Sequence, residues 1–258
     1  MYEKLFNLEG RTALVTGASR GIGRAIARGL AEAGADVVLA ARNEKDLELA
    51  VDDMRGTVSG RVEFYRVDMS DRASVDELVK TVLRDFGKVD ILVNNAGVNY
   101  PQTLLETTDS NWDAMIEINL TSQMRLTRAF VPSMVANGWG RVVYVSSILA
   151  FASNHARGIY SATKAGLVGM MRAQTLELGP AGVTVNCLAP GPVLTDMPMS
   201  LLSDEEKQKF SDRTALKRWG EVGDMVGPVL MLASDAGAFV SGEVIIADGG
   251  LLCRTFGD

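Results

Sequence analysis

Apolar runs of five to seven residues recur along the chain, each broken by a glycine or small polar residues and followed by a stretch whose apolar positions fall three or four apart. The runs at 12–16, 36–40, 61–67, 89–93, 141–147, 183–188 and 243–247 are rich in β-branched residues and read as strands. The stretches 25–33, 43–55, 72–86, 109–135, about 160–179 and 222–233 have the helical period; Val75, Leu78, Val79, Val82 and Leu83 mark the core face of one of them. Strands alternating with helices predict βαβ units, right-handed crossovers and a parallel sheet covered on both faces. The expected fold is therefore α/β, three-layered and doubly wound. No linker divides the chain, so residues 1–258 are read as one domain.

Composition narrows the partners. Hydrophobic residues at 47% and charged residues at 22% belong to a folded globular protein, and a net charge of -6 disfavours nucleic acid and anionic lipid. Cys187 and Cys253 form no CxxC pair and His155 is the single histidine, so no metal site is expected. The first eleven residues lack the layout of a secretion signal, and no stretch reaches the roughly 20 apolar residues that span a bilayer. A cytoplasmic location is expected.

The breaks after the strands carry the candidate chemistry. After residue 16 comes Gly17-Ala18-Ser19-Arg20-Gly21-Ile22-Gly23, a glycine turn opening a helix, which suits a phosphate. Its GxxxGxG spacing differs from the usual GxGxxG. The next strand ends in Ala41-Arg42, with no carboxylate for a ribose 2′-hydroxyl; Arg42 and Arg20 are two cations suited to a 2′-phosphate, which favours NADP over NAD. Asp68 closes the third strand as a ligand or, with Ser70 and Asp71, as a candidate helix cap. Asn94-Asn95-Ala96-Gly97 closes the fourth, and Asp109 is read as the cap of the helix carrying Asn119. Ser147 closes the fifth. Tyr160 and Lys164 then stand one helical turn apart, where the ammonium is expected to favour the phenolate.

Thr16-Gly17-Ala18-Ser19-Arg20-Gly21-Ile22-Gly23, Asn94-Asn95-Ala96-Gly97, Asn119, Ser147, Tyr160-Ser161-Ala162-Thr163-Lys164 and Pro190-Gly191 resemble, in order and spacing, the short-chain dehydrogenase/reductases over almost the whole chain. The resemblance implies a Rossmann-type sheet and an NADP(H)-dependent enzyme. It implies Tyr160 as general acid or base, Lys164 as the cation that tunes it and holds the nicotinamide ribose, Ser147 as the hydroxyl polarising the carbonyl, and Asn119 as holder of a relay water. The cofactor set it implies is Gly17, Ser19, Arg20, Gly21, Ile22, Gly23, Arg42, Asp68, Asn95, Ala96, Gly97, Tyr160, Lys164, Pro190, Gly191, Val193 and Thr195. A homotetramer pairing through the long helices and the last strand is implied as well.

Two substrate classes stay open: 3-oxoacyl thioesters on an acyl carrier protein, and sugar acids as in gluconate 5-dehydrogenase-like members, which Lys217-Arg218-Trp219-Gly220-Glu221 resembles more. Carrier docking expects basic residues where this chain has Gly138 and Ala181, with Arg141 and Arg172 as nearby substitutes. The stretch at about 193–218 reads as a substrate lid, with Met197, Met199, Leu201 and Leu202 either lining a site or packing inward. His155 and Arg157 are candidates for a carboxylate or sugar hydroxyls. A cofactor-binding redox sensor without turnover is the alternative in another class.

Overall fold

Strand β1 (Thr12–Thr16) is buried along its whole length because it is flanked on both sides and covered on both faces. It pairs in parallel with β2 (Asp36–Ala41) through Thr12↔Asp36 to Thr16↔Ala40, and with β4 (Ile91–Asn94) through Ala13↔Ile91 to Val15↔Val93. With β3 (Val62–Arg66), β5 (Gly140–Val145), β6 (Val183–Pro190) and β7 (Val244–Ala247), the seven strands among the described residues form one parallel sheet ordered β3-β2-β1-β4-β5-β6-β7. The computed structural model describes residues 2–195 and 203–253. The strand order reverses between β1 and β4. A crevice opens there at the carboxyl ends of the strands, the place where doubly wound sheets take ligands.

Because side chains alternate across a strand, each face of the sheet gathers its own core. Ala13, Val15, Val37, Leu39, Val93 and Val143 meet helices α2 (Gly21–Glu32), α3 (Glu44–Asp52) and α9 (Val226–Ala233) through Ile26, Leu30, Leu47, Val229 and Leu232. On the opposite face Leu14, Val38, Leu92, Val142, Tyr144 and Cys187 meet α4 (Arg72–Phe86), α6 (Ser122–Asn137) and α7 (Gly158–Leu178) through Val75, Leu78, Phe130, Leu167 and Met171. The remaining helices are short: α1 (Tyr2–Phe6), α5 (Asp109–Ile116) and α8 (Asp204–Arg213).

The helices differ from expectation at their ends, where capping outweighs periodicity. Thr108, not Asp109, caps α5, its hydroxyl accepting from the Asn111 N–H at 3.2 Å. Asp71 caps α4, accepting from Ala73 N–H at 2.9 Å. The helix expected over 109–135 runs unbroken to Asn137 but is not α-helical throughout: Glu117–Thr121 is a π segment between α5 and α6. One extra residue in the turn rotates Asn119 inward, a device common at functional sites. The stretch expected as a lid contributes α8, while Met197, Met199, Leu201 and Leu202 lie outside the described residues.

Candidate active site

At the end of β1 the chain turns through Gly17 and Gly21, at φ +65° and +58°, a region that side chains with a Cβ rarely adopt. A Cβ on Gly23 would lie 2.4 Å from both the Gly17 carbonyl and Asn95 Nδ2, so the turn closes only with glycine. Arg20 leads α2 in extended conformation and gives it no side-chain cap, which leaves the first-turn amides for an anion. Asn95 is the clamp of this turn: its Nδ2 donates to the carbonyls of Thr16 at 2.8 Å and Gly17 at 3.3 Å. Thr16 completes the clamp, its Oγ1 accepting from the N–H groups of Asn95 and Ala96, both at 3.0 Å. The Ala96 carbonyl in turn accepts from Gln123 Nε2 at 2.8 Å.

Four candidates converge from three elements. Ser147 follows β5; its hydroxyl lies near the Tyr160 phenol and accepts from the Leu149 N–H at 3.1 Å. Burial pushes the Tyr160 phenol above its ordinary range, opposed by the nearby Ser147 hydroxyl and the positive charge of Arg157. Lys164, only 3% exposed, has its ammonium pushed down to about 8 by burial. Its Nζ stands 5.6 Å from the Tyr160 ring centre and donates to the Val145 carbonyl at 2.8 Å. The pull expected from Lys164 on the phenol therefore comes instead from Ser147 and Arg157, because the lysine is directed at the end of β5.

Asn119 is fully buried and its carboxamide is committed within the protein. Its Oδ1 accepts from Val98 N–H at 2.8 Å, and its Nδ2 donates to the Val98 carbonyl at 2.9 Å and to Thr163 Oγ1 at 3.2 Å. It thus ties the loop after β4 to α7. Gly97 lies over this joint: a Cβ there would come within 3.3 Å of Asn119 Oδ1 and 3.4 Å of Lys164 Nζ.

The remaining candidates border the same edge. Arg42 is exposed at the end of β2, and its charge reaches Asp68, whose carboxyl is held low first by the hydrogen bond from the Ser70 hydroxyl. Asp68 Oδ1 accepts from both Ser70 N–H and Oγ, so its carboxylate orders that loop while Asp71 does the capping. Gly191 packs so closely that a Cβ would lie 2.6 Å from Asp248 Cα, which fixes Pro190 and Gly191 against β7. Val193 is buried in a bridge to Gly220, and the Thr195 methyl sits 3.4 Å from where a Cβ on Gly21 would stand. His155 is exposed; Arg157 begins α7. Thr16, Ser146 and Thr163 had no assigned role in the sequence, because a hydroxyl that braces backbone leaves no periodic signal. No group of three or more His, Cys, Asp or Glu able to hold a metal occurs among the described residues.

The family described as short chain dehydrogenase matches residues 11–206. The chain belongs to this family. The dehydrogenase is 39% identical to a 2-dehydro-3-deoxy-D-gluconate 5-dehydrogenase of Pseudoalteromonas atlantica, across 98% of this chain and 100% of that one. It is 37% identical to the 3-oxoacyl-(acyl-carrier-protein) reductase of Escherichia coli, across 95% of this chain and 98% of that one. Its fold is similar to that of a gluconate 5-dehydrogenase from Burkholderia cenocepacia in complex with NADP and tartrate, at a TM-score of 0.93 and 30% identity over 99% of this chain and 100% of that one. The sequence resemblance and the fold expected from it are thereby confirmed. Among the described residues no helix is long and apolar enough to cross a membrane.

Proposed function

We propose that this dehydrogenase is NADP(H)-dependent and moves hydride between the nicotinamide and a ketone or secondary alcohol. The observation that carries this reading is the placing of the Ser147 hydroxyl near the Tyr160 phenol, with the buried Lys164 beside them, at the edge where the glycine turn opens. NADP, when bound, supplies or accepts the hydride. The uncapped start of α2 and the glycine turn fit a pyrophosphate, and Arg20 and Arg42 fit a 2′-phosphate.

The chain's own residues handle the proton. A carbonyl oxygen placed against Ser147 and Tyr160 meets two hydroxyls, and the raised phenol stays protonated through neutral pH, ready to donate as negative charge develops. In the reverse direction the same phenol must lose its proton, and the Ser147 hydroxyl and the charge of Arg157 lower the cost of that step. Asn119 positions: it holds the Val98 loop against α7, and with it the floor of the site.

A small substrate fits better than one borne on an acidic carrier. Arg141, a substitute docking cation, is 3% exposed, stacked 4.2 Å over the Trp139 ring and committed to the Ser234 and Gly140 carbonyls. It has nothing to offer a partner protein. A homotetramer is part of the reading, and exposed Leu176 on α7 and Ile246 on β7 suit pairing through the long helices and the last strand.

Oxidation of NADPH measured with 5-ketogluconate, a β-ketoacyl thioester and simple ketones tests the proposal. Turnover with at least one is expected; nucleotide binding with turnover of none would leave a cofactor sensor. Replacing Arg42 with Asp should lower the preference for NADPH over NADH, as a ratio of kcat/KM, by about 10- to 100-fold, the worth of a charge-assisted hydrogen bond. An unchanged ratio would remove Arg42 from the phosphate site.

A further inference from the structure

A cavity of about 360 Å³ lies between the segment after β4 and the loop leading into α7. Gln102 and Trp112 line it from one side, Ser153, Arg157, Gly158 and Ile159 from the other. The lining stops one residue short of Tyr160. Arg157 lines the cavity and its charge reaches the Tyr160 phenol, which puts the cavity within reach of the far end of a substrate whose carbonyl meets that phenol.

Three features of the cavity point to a ligand. The Arg157 guanidinium makes no hydrogen bond or ion pair with any described residue, although the chain has 32 acidic residues and an excess of negative charge. Gln102 Oε1 is buried without a partner, as is Asn99 Oδ1 on the same loop, and a buried acceptor left open is costly unless a donor arrives. Ala156 holds φ at +59°, a conformation rare for a residue with a Cβ and one that concentrates at functional sites. Its carbonyl accepts from Gln102 N–H at 3.1 Å, which joins the two walls and fixes Arg157 at the start of α7. No side chain caps that helix, so its free amides add to the positive potential around the guanidinium.

We infer that Arg157 binds the carboxylate of an anionic, hydroxylated substrate, with Gln102 Oε1 accepting from one of its hydroxyls, so that this cavity sets specificity for keto and hydroxy acids. A planar guanidinium matches a carboxylate in two parallel hydrogen bonds, and an open carboxamide oxygen asks for a donor that an alkyl chain lacks. Trp112 supplies an apolar wall for the carbon backbone. The inference rests on the dehydrogenase reading above but is tested apart from it.

The first measurement is the ratio of kcat/KM for 5-ketogluconate to that for its neutral amide. A ratio well above one is expected in the natural enzyme, falling by about 10- to 100-fold in Arg157→Leu and recovering in part in Arg157→Lys. The ratio is insensitive to any general effect of Arg157 on Tyr160. A ratio near one, or one that Arg157→Leu leaves intact, overturns the inference while leaving the oxidoreductase in place. If no carbonyl compound is turned over, the failure belongs to the proposed function, and binding decides here. Tartrate should then quench tryptophan fluorescence saturably, with the signal lost in Trp112→Phe and the apparent Kd raised at least tenfold in Arg157→Leu. Absence of saturable quenching, or equal affinity in Arg157→Leu, would sink the carboxylate site.

Discussion

Tyr160→Phe is expected to lose about 10²- to 10⁴-fold in kcat for carbonyl reduction while binding NADPH as the natural chain does. The substitution removes one oxygen and leaves the ring that packs at the start of α7. Ser147 keeps the bond from the Leu149 N–H, so the stability change should stay within the roughly 1 kcal/mol of one hydrogen bond. Thermal unfolding and nucleotide titration check the controls, and steady-state NADPH oxidation checks the loss. Because burial holds the phenol protonated above its ordinary range, reduction by the natural enzyme should not fall between pH 6 and 8 for want of this proton. Turnover retained within threefold by the phenylalanine variant would end the role given to Tyr160.

Lys164→Met should abolish turnover to a similar degree, and it carries a second, independent signature in stability. Burial brings the ammonium down to about 8 from 10.5 in the unfolded chain. Below pH 8 both states hold the proton and the folded state bears the cost of a buried charge. Between pH 8 and 10.5 the unfolded chain keeps a proton that the folded chain has released, so the unfolding free energy rises with pH across that window. The shift corresponds to about 3 kcal/mol for so buried a group. Denaturant unfolding at pH 7.5 and 10 should show that rise in the natural chain relative to Lys164→Met. Equal pH dependence in the two would mean the ammonium is not buried as described.

Much of this was legible in the sequence, for reasons particular to each residue. Apolar runs gave all seven strands, since a sheet covered on both faces needs continuous apolar runs such as Leu14-Val15 and Val142-Val143. Gly17 and Gly21 announced their turn because left-handed backbone demands glycine. What stayed hidden were contacts between distant segments. Nothing local in the sequence marks Thr16 as a brace for Asn95, or directs Lys164 to a carbonyl of β5 rather than to the phenol four residues earlier. The π segment was missed because a helix with one extra residue keeps most of its period, and it shows only in where Asn119 points. Arg157 was visible as a charge, yet its isolation depends on which carboxylates fail to come near.

Residue 164 is fastened to the end of β5 at two points, by its ammonium on the Val145 carbonyl and by its own carbonyl, which accepts from Ser146 Oγ at 2.9 Å. Strand tail and helix are therefore bolted together next to the residues that carry the reacting oxygens. Ser147 and Tyr160 ride on one rigid frame, and their separation is fixed before any ligand arrives. Whatever opens and shuts to admit reactants must happen elsewhere in the molecule, leaving the proton-transfer distance out of the motion.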